Sequence, residues 1–582
     1  MKSLASLLAL GLLASTLTGC PTEDNCGLTR MVDPVSDTCV CRPGYTEVGD
    51  VCILDSELDG GPDAGTDTSV DVPGSDVMAE ACTAPDDCPE RDNATRTCDA
   101  MTCGFECDED WGDCDGDPTN GCETDLTNTE ANCGTCDNAC EDDQLCFESS
   151  CEQEPMLDWA RTFGEISTEQ SYAIDIAPDG QLLVAGTYDD RTPFTLDDIT
   201  IGEGAYFIAA FDSTGSLGFV LGDGGDGNMF PYGITADAMG NSYVVGSVSS
   251  GGVQFGPDAY SSAMGAAAIV SYEPDGSYRW SRVSDGAGTE SFLDVDADES
   301  GFVVAVGRFD GSSTFGEFPA RRVTSEGGTD ALAVSYSSTG SVRWTERVGG
   351  PSNAGATSVA FTSDGSLVLG GNFADEISLG GVERTGAPID GFVLGLSTSG
   401  SYQFNIVPVT SGAAIVHDIE VGADGSTYVA GWFIGNVNFG GDDLVSVSES
   451  VDAFIVKLSA EGDHVWSRRF GGTGNMYFEV NLAVSTDGVY VAGTFDGRIG
   501  LGSESILSGM DGTDGFVVAY DLSGTPRWIR ALAGPNEDTI RAIDARNGVL
   551  AITGFYQESI EVGDTLNATG FQDVYLARYR VR

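Results

Sequence analysis

From residue 156 onward, short apolar runs alternate with polar breaks rich in Gly, Asp and Asn, and no apolar run is longer than a strand. The stretch "DAFIVKLSAEGDHVWSRRFGG", Asp452 to Gly472, reads as two short β-strands around a Gly-containing turn. Near copies of it recur along the chain. Aligned on the aromatic of the second strand, they place Trp159, Phe219, Trp280, Trp344, Phe404, Trp466 and Trp528 at spacings of 60, 61, 64, 60, 62 and 62 residues. A second marker, as in "VAGTY", "LGGNF" and "VAGTF", puts Gly186, Gly246, Gly307, Gly371, Gly431, Gly493 and Gly554 at one phase. Before several of these glycines stands a turn signal such as Asp179-Gly180, Asp364-Gly365, Asp424-Gly425, Asp487-Gly488 or Asn547-Gly548, which predicts two-residue type I′ hairpins.

Each repeat thus yields four strands, "DxFVxxL", "xxWxRxxGG", "AxDIxxDG" and "xVYVAGxF", followed by a longer connection, and four antiparallel strands at this period predict a propeller blade. The first copy lacks its "DxFVxxL" strand, whereas the last residues, "QDVYLARYRVR", supply one without a successor. Joining the two ends gives seven complete blades with no open edge. The expected fold is therefore all-β: a seven-bladed β-propeller over 156–582, preceded by small disulfide-rich modules. The repeated residues resemble the SBBP repeat, a β-propeller repeat of bacterial cell-surface and secreted proteins. That resemblance implies a propeller but no common catalytic set or ligand.

The N-terminal part is built differently. Residues 1–19 carry Lys2, an apolar run from Leu4 to Leu17 and small residues before Cys20, the pattern of an export signal. The ending Leu17-Thr18-Gly19-Cys20 resembles the lipobox of bacterial lipoproteins, which implies lipidation of Cys20 and a membrane partner held through acyl chains at ~0.8 kcal/mol per buried methylene. Pro21 in place of Asp favours the outer membrane or cell surface. In 20–55, "CVCRPGY" resembles the C-terminal half of an EGF-like module; 56–80 is an acidic flexible linker; 81–155 is a cysteine-rich acidic module. All cysteines lie between Cys20 and Cys151. The sixteen beyond Cys20 are Cys26, Cys39, Cys41, Cys52, Cys82, Cys88, Cys98, Cys103, Cys107, Cys114, Cys122, Cys133, Cys136, Cys140, Cys146 and Cys151. An even number in an exported chain predicts disulfides, with the pairing open. The spacing of Cys133, Cys136 and Cys140 could ligate zinc, but this segment has no histidine.

Net charge is −66, with acidic excess in both halves, which disfavours nucleic acid as a partner. Calcium is the one candidate cofactor, at Asp113, Asp115 and Asp117, whose alternate spacing is that of a calcium loop; an acidic turn bounded by disulfides is the alternative. Asp330, Asp390, Asp452, Asp514 and Asp573 begin the "DxF" strands and could line a central cation site, though an Asp there more often binds the turn backbone. The repeated aromatics fit packing between blades better than carbohydrate stacking. His417 and His464, the two histidines, belong to no triad motif, so no enzyme and no catalytic residue is expected. The sequence therefore points to a monomeric, lipid-anchored surface protein whose propeller recognises a protein or glycan, in adhesion or envelope organisation. The long connections, such as Asp496 to Thr513, would form the ligand face. An exported hydrolase or lyase acting on polysaccharide, and a spacer without ligand, are the alternatives.

Overall fold

The computed structural model describes four short strands between residues 30 and 54, and residues 82 to 581 apart from brief stretches of loop. Met1–Ala79 and Glu80–Arg582 form separate units. In the first unit Arg30–Val32 pairs with Cys39–Cys41, and Tyr45–Val48 with Val51–Leu54. Cys20, the export signal and the linker lie outside the described residues, as does the pairing of Cys26, Cys39, Cys41 and Cys52.

In the second unit seven antiparallel sheets carry the four-strand blade, one of them extended by an extra hairpin. Their innermost strands are Gln170–Ile176, Met229–Ala236, Glu290–Ala297, Ala354–Phe361, Ala413–Val421, Met476–Val484 and Ala542–Arg546, numbered here as blades 1 to 7. Each innermost strand packs on the next, and the last packs on the first, so the sheets close into a ring. Blade 7 is built from both ends of the repeat region: Met156–Phe163 pairs with Asp573–Arg580, which continues through Val549–Tyr556 to Ala542–Arg546.

The repeated residues explain the packing. Trp159, Trp280, Trp344 and Trp466, each on an outermost strand, donate their indole N–H to the carbonyls of Ser213, Ser338, Thr398 and Leu522 in the following blade. Each ring lies over the turn glycine of that blade; at Gly340, with φ +76°, an added Cβ would sit 2.6 Å from the Trp280 ring. The aromatics thus mortar blade to blade. The glycine of the "VAG" marker has a different duty. Every innermost strand of blades 1 to 6 carries a register shift opposite it, and in blades 1 to 5 the carbonyl two residues before the extra one lies over the glycine. A Cβ at Gly246 or Gly431 would meet the Phe230 or Ile415 carbonyl oxygen at 1.9 Å.

Two sequence expectations are corrected. Of the turns named above, only Asn547-Gly548 has positive φ at both residues (51° and 75°); at Gly180, Gly365 and Gly425 the glycine alone is left-handed. There the preceding Asp179, Asp364 or Asp424 accepts the amide two residues on, an Asx arrangement suited to a longer loop than type I′. The long connections also lie within blades, between second and third strands. Each holds a further hairpin whose apolar pair, such as Ile377 and Leu379 or Ile499 and Leu501, is buried. They are wedges of the rim more than free display loops.

The cysteine-rich module is part of the same unit as the ring. Its twelve cysteines pair as Cys82–Cys98, Cys88–Cys103, Cys107–Cys122, Cys114–Cys136, Cys133–Cys146 and Cys140–Cys151, which excludes zinc on Cys133, Cys136 and Cys140 in this oxidised state. Phe147, 1% exposed, enters the apolar cluster that contains Ile529 of blade 6. Arg527 binds Glu152 at 2.9 Å and Arg530 binds Glu154.

Gly431→Ala should destabilise the protein by about 2–4 kcal/mol, because either the bulge or the carbonyl must move. Gly218→Ala, where the nearest atoms stand 3.4 Å off, should cost under ~1 kcal/mol. Denaturant unfolding of the two variants beside the parent checks the contrast.

Candidate functional site

The axis of the ring is an open cavity of about 630 Å3 lined by all seven innermost strands. Its chemistry follows from the bulge. In blades 1 to 5 the extra residue at the register shift lines the cavity, which places Tyr172, Tyr232, Leu293, Thr357 and His417 there, joined by Arg541 just before the blade 7 strand. Tyr172 and Tyr232 meet edge to face at 6.1 Å, and Phe230, 37% exposed, lies parallel to Tyr232 at 6.5 Å. The Arg541 guanidinium stands 6.0 Å from the Tyr172 ring and 5.1 Å from that of Phe555. A second cavity of about 630 Å3 shares Tyr232, Leu293 and Thr357 with the first and adds Arg308, Asn353 and Asn372.

Deeper along the same strands lie six carboxyls, Asp175, Asp294, Asp296, Asp418, Glu420 and Asp544, against Arg541 and Arg546. An innermost strand is hydrogen-bonded on one side only, so amides on its other edge need acceptors. The carboxylates supply them, and in doing so clamp neighbouring blades. Asp294 accepts from Val295 and from Val359 of blade 4 (2.7 and 2.8 Å); Asp296 likewise accepts from Ala297 and Phe361 (2.7 Å each). Asp418 accepts from Ile419, Ser358 and Leu482 of blade 6, and Asp544 from Ala545 and Ile176 of blade 1. Arg546 returns a bond to the Ile176 carbonyl at 2.8 Å.

Burial is the main force on their protonation. It pushes Asp294 up to about 7, with the Asp418 charge adding to it, and Asp296 and Asp418 up to about 6 against the lowering effect of their amide donors. Asp175 and Glu420 are driven well above the ordinary carboxyl range, first by burial, then by the neighbouring charges of Asp544 and Asp418 respectively.

Sequence-predicted site residues fall elsewhere. Asp330, Asp390, Asp452, Asp514 and Asp573 start third strands, away from the axis, and are buried. They accept turn amides, from Glu326, Ala387, Val447, Gly509 and Thr569 respectively, so the turn-binding alternative holds. Asp113 and Asp115 do come together, but with Glu123 and not Asp117 as the third carboxylate; Asp115 instead accepts the Asp117 amide at 2.8 Å. His417 reaches the cavity, whereas His464 opens an outermost strand beneath Gly441. The cavity carboxyls were missed by sequence reasoning, although acidic residues recur at two positions of the innermost strands, Asp175, Asp296, Glu420 and Asp544 at one and Asp294 and Asp418 at the other.

No family model matches this chain. Among curated proteins, the regulatory protein FlaEY of Caulobacter vibrioides (strain ATCC 19089 / CIP 103742 / CB 15) is 30% identical over 167 residues, 27% of this chain and 17% of that protein. This chain is therefore similar to only a small part of it. Solved structures with similarity include the phage phi92 endosialidase (10% identity, 73% of this chain and 70% of that one, TM-score 0.37) and the WD40 β-propeller domain of Doa1 (10%, 73% and 96%, 0.32). A polysaccharide lyase, an ulvan lyase, is similar at 10% identity over 72% of this chain and 96% of that one, with a TM-score of 0.33. The propeller is established by the chain's own sheet order.

Because these carboxyls hold protons in the folded state that the unfolded chain releases, their contribution to stability is complete in acid and is lost as pH rises from about 4 through 6 to 7. The free energy of unfolding should fall between pH 5 and 8, and Asp294→Asn should remove part of that slope. Equilibrium unfolding in a pH series measures both.

Proposed function

We propose that this is an exported recognition protein whose ligand seats at the mouth of the axial cavity. Six disulfides belong to an extracellular or envelope compartment. Among the described residues no helix is long and apolar enough to cross a membrane. The lipobox-like Leu17-Thr18-Gly19-Cys20 and the repeat's likeness to the SBBP repeat support attachment at the cell surface through Cys20.

The observation that carries the reading is a contrast. The frame is repeated blade after blade, down to the glycine under each bulge, yet the bulge residues themselves differ: Tyr172, Tyr232, Leu293, Thr357 and His417. Packing demands would make them alike; a ligand of low symmetry would make them differ. Their chemistry selects the ligand class. The aromatic surface of Tyr172, Tyr232 and Phe230 suits the apolar face of a sugar ring, while the amides of Asn353 and Asn372 offer donors and acceptors for hydroxyls beside it. Those carboxyls below that ionise near neutral pH, Asp296 and Asp418 foremost, repel anions, so neutral or amine-bearing glycans are favoured over uronic or sulfated ones. A second reading, an exported hydrolase or lyase at the same cavity, is favoured by Glu420, a raised carboxyl beside Asp418.

On a glycan array the full chain should bind neutral or amino-sugar structures, and Tyr232→Ala should weaken that binding about tenfold, ~1.4 kcal/mol. Binding untouched by Tyr232→Ala, or none above background, would defeat the proposal. Turnover of a bound polysaccharide abolished by Glu420→Gln would establish the second reading instead.

A further inference from the structure

Two joints between blades share one construction at the end where the innermost strands begin, and the joint of blades 6 and 7 departs from it. At the joint of blades 3 and 4, the buried Asp330 is met by Arg347 at 2.8 Å, and the residue following it into the next blade is Ala354. At the joint of blades 5 and 6 the same places hold Asp452, Arg469 at 2.5 Å and Met476. At the joint of blades 6 and 7 they hold Asp514, Ala531 and Asp538. Ala531 faces Phe516 across the ladder as Arg469 faces Phe454, and the Asp538 amide binds the Thr513 carbonyl as that of Met476 binds Val451. The cation is gone and a second carboxyl has come in.

Both Asp514 and Asp538 are 0% exposed. Asp514 Oδ2 accepts the Gly509 amide at 2.5 Å, but Asp514 Oδ1 and both oxygens of Asp538 find no donor with hydrogen-bonding geometry. The other groups nearby compensate only in part: the backbone amides of Gly534 and Gln557 favour the ionised form of Asp538, and that of Gly534 does the same for Asp514, without offsetting burial. Tyr556, bridged to Asp538, has its hydroxyl against that of Thr162; Glu537 is exposed and takes the Gln557 side-chain amide; Asp573, the next carboxyl along, already holds the Thr569 and Gly570 amides. Two buried carboxyls side by side without a cation cannot both ionise.

We infer that Asp538 keeps its proton in the folded protein and donates it to Asp514, so that the joint sealing blade 7 to the ring is held by a shared proton and loosens as pH rises. Burial, with the Asp514 charge next, pushes Asp538 up to about 8, in the direction the geometry requires. The device lies in the seam that both ends of the repeat region complete, and it is independent of what the axial cavity binds.

The test compares the full chain with Asp538→Asn and Asp514→Asn, either of which supplies the missing donor as an amide. For a carboxyl raised in the folded state, the stability lost on going up in pH accrues between its unfolded value near 4 and its folded value. The parent's unfolding constant should therefore rise relative to Asp538→Asn by up to about tenfold per pH unit between pH 5 and 8, and the two should run parallel above pH 9. If Asp538→Asn does not fold, Asp514→Asn serves as the comparison, with a gap that widens over the same range. A gap between parent and variant that is constant from pH 5 to 8 overturns the inference. So does rescue of the parent at pH 8 by millimolar calcium that neither variant shows, since the pair would then hold a cation and not a proton.

Discussion

The whole molecule rests on one unsatisfied edge repeated seven times. A propeller blade must leave its innermost strand with hydrogen-bonding groups turned toward the axis, where no further strand can fit. In this protein the side chains of the strand solve the problem. Asp294, Asp296, Asp418 and Asp544 fold onto the exposed amides of their own strand and of a neighbouring one, so satisfying the edge and joining the blades become the same act. The consequence is an acidic, partly protonated axis that any ligand must reckon with. A cavity lined this way is polar by structural necessity, before any selection for binding.

Above that layer the bulge does different work: in each of blades 1 to 5 it turns one extra residue toward the cavity. The carbonyl that folds over Gly246 or Gly431 shifts the strand by one residue and turns a side chain inward that packs against no blade core. Frame and cavity lining are therefore separable. The outer mortar of Trp280 on Gly340 and its equivalents can stay constant while the lining varies, as the Tyr, Leu, Thr and His at the bulges do.

What was legible in the sequence follows from this division. The period of the aromatics, the phase of the glycines and the orphan strand at each end specify blades, their number and the joining of Met156–Phe163 to Asp573–Arg580, because each reflects a constraint repeated seven times. The site was hidden for the same reason: His417 and Tyr232 stand out only once the bulge is known to aim them, and a bulge is a register event between two strands, invisible in either alone. The role of the cavity carboxyls was hidden because their partners, such as Leu482 for Asp418, lie about one repeat away. The docking of the cysteine-rich module was likewise unreadable, since Phe147 and Glu152 gain meaning only against Ile529 and Arg527. Cysteine count forecast the disulfides but not that the module they staple would share the ring's core.

Blade 7 also imposes an order of assembly. Thr162 bonds the carbonyl of Val574 across 412 residues of chain, so the loop that its closure must gather spans nearly the entire ring. Such a contact is among the last to form, because its entropic cost falls due before neighbouring interactions can repay it. Six blades must therefore stand as an open arc while the first strand waits for its partner, with a sheet edge at each end available to other chains. During biogenesis that interval, more than the finished ring, is where misassembly and strand exchange between copies would arise.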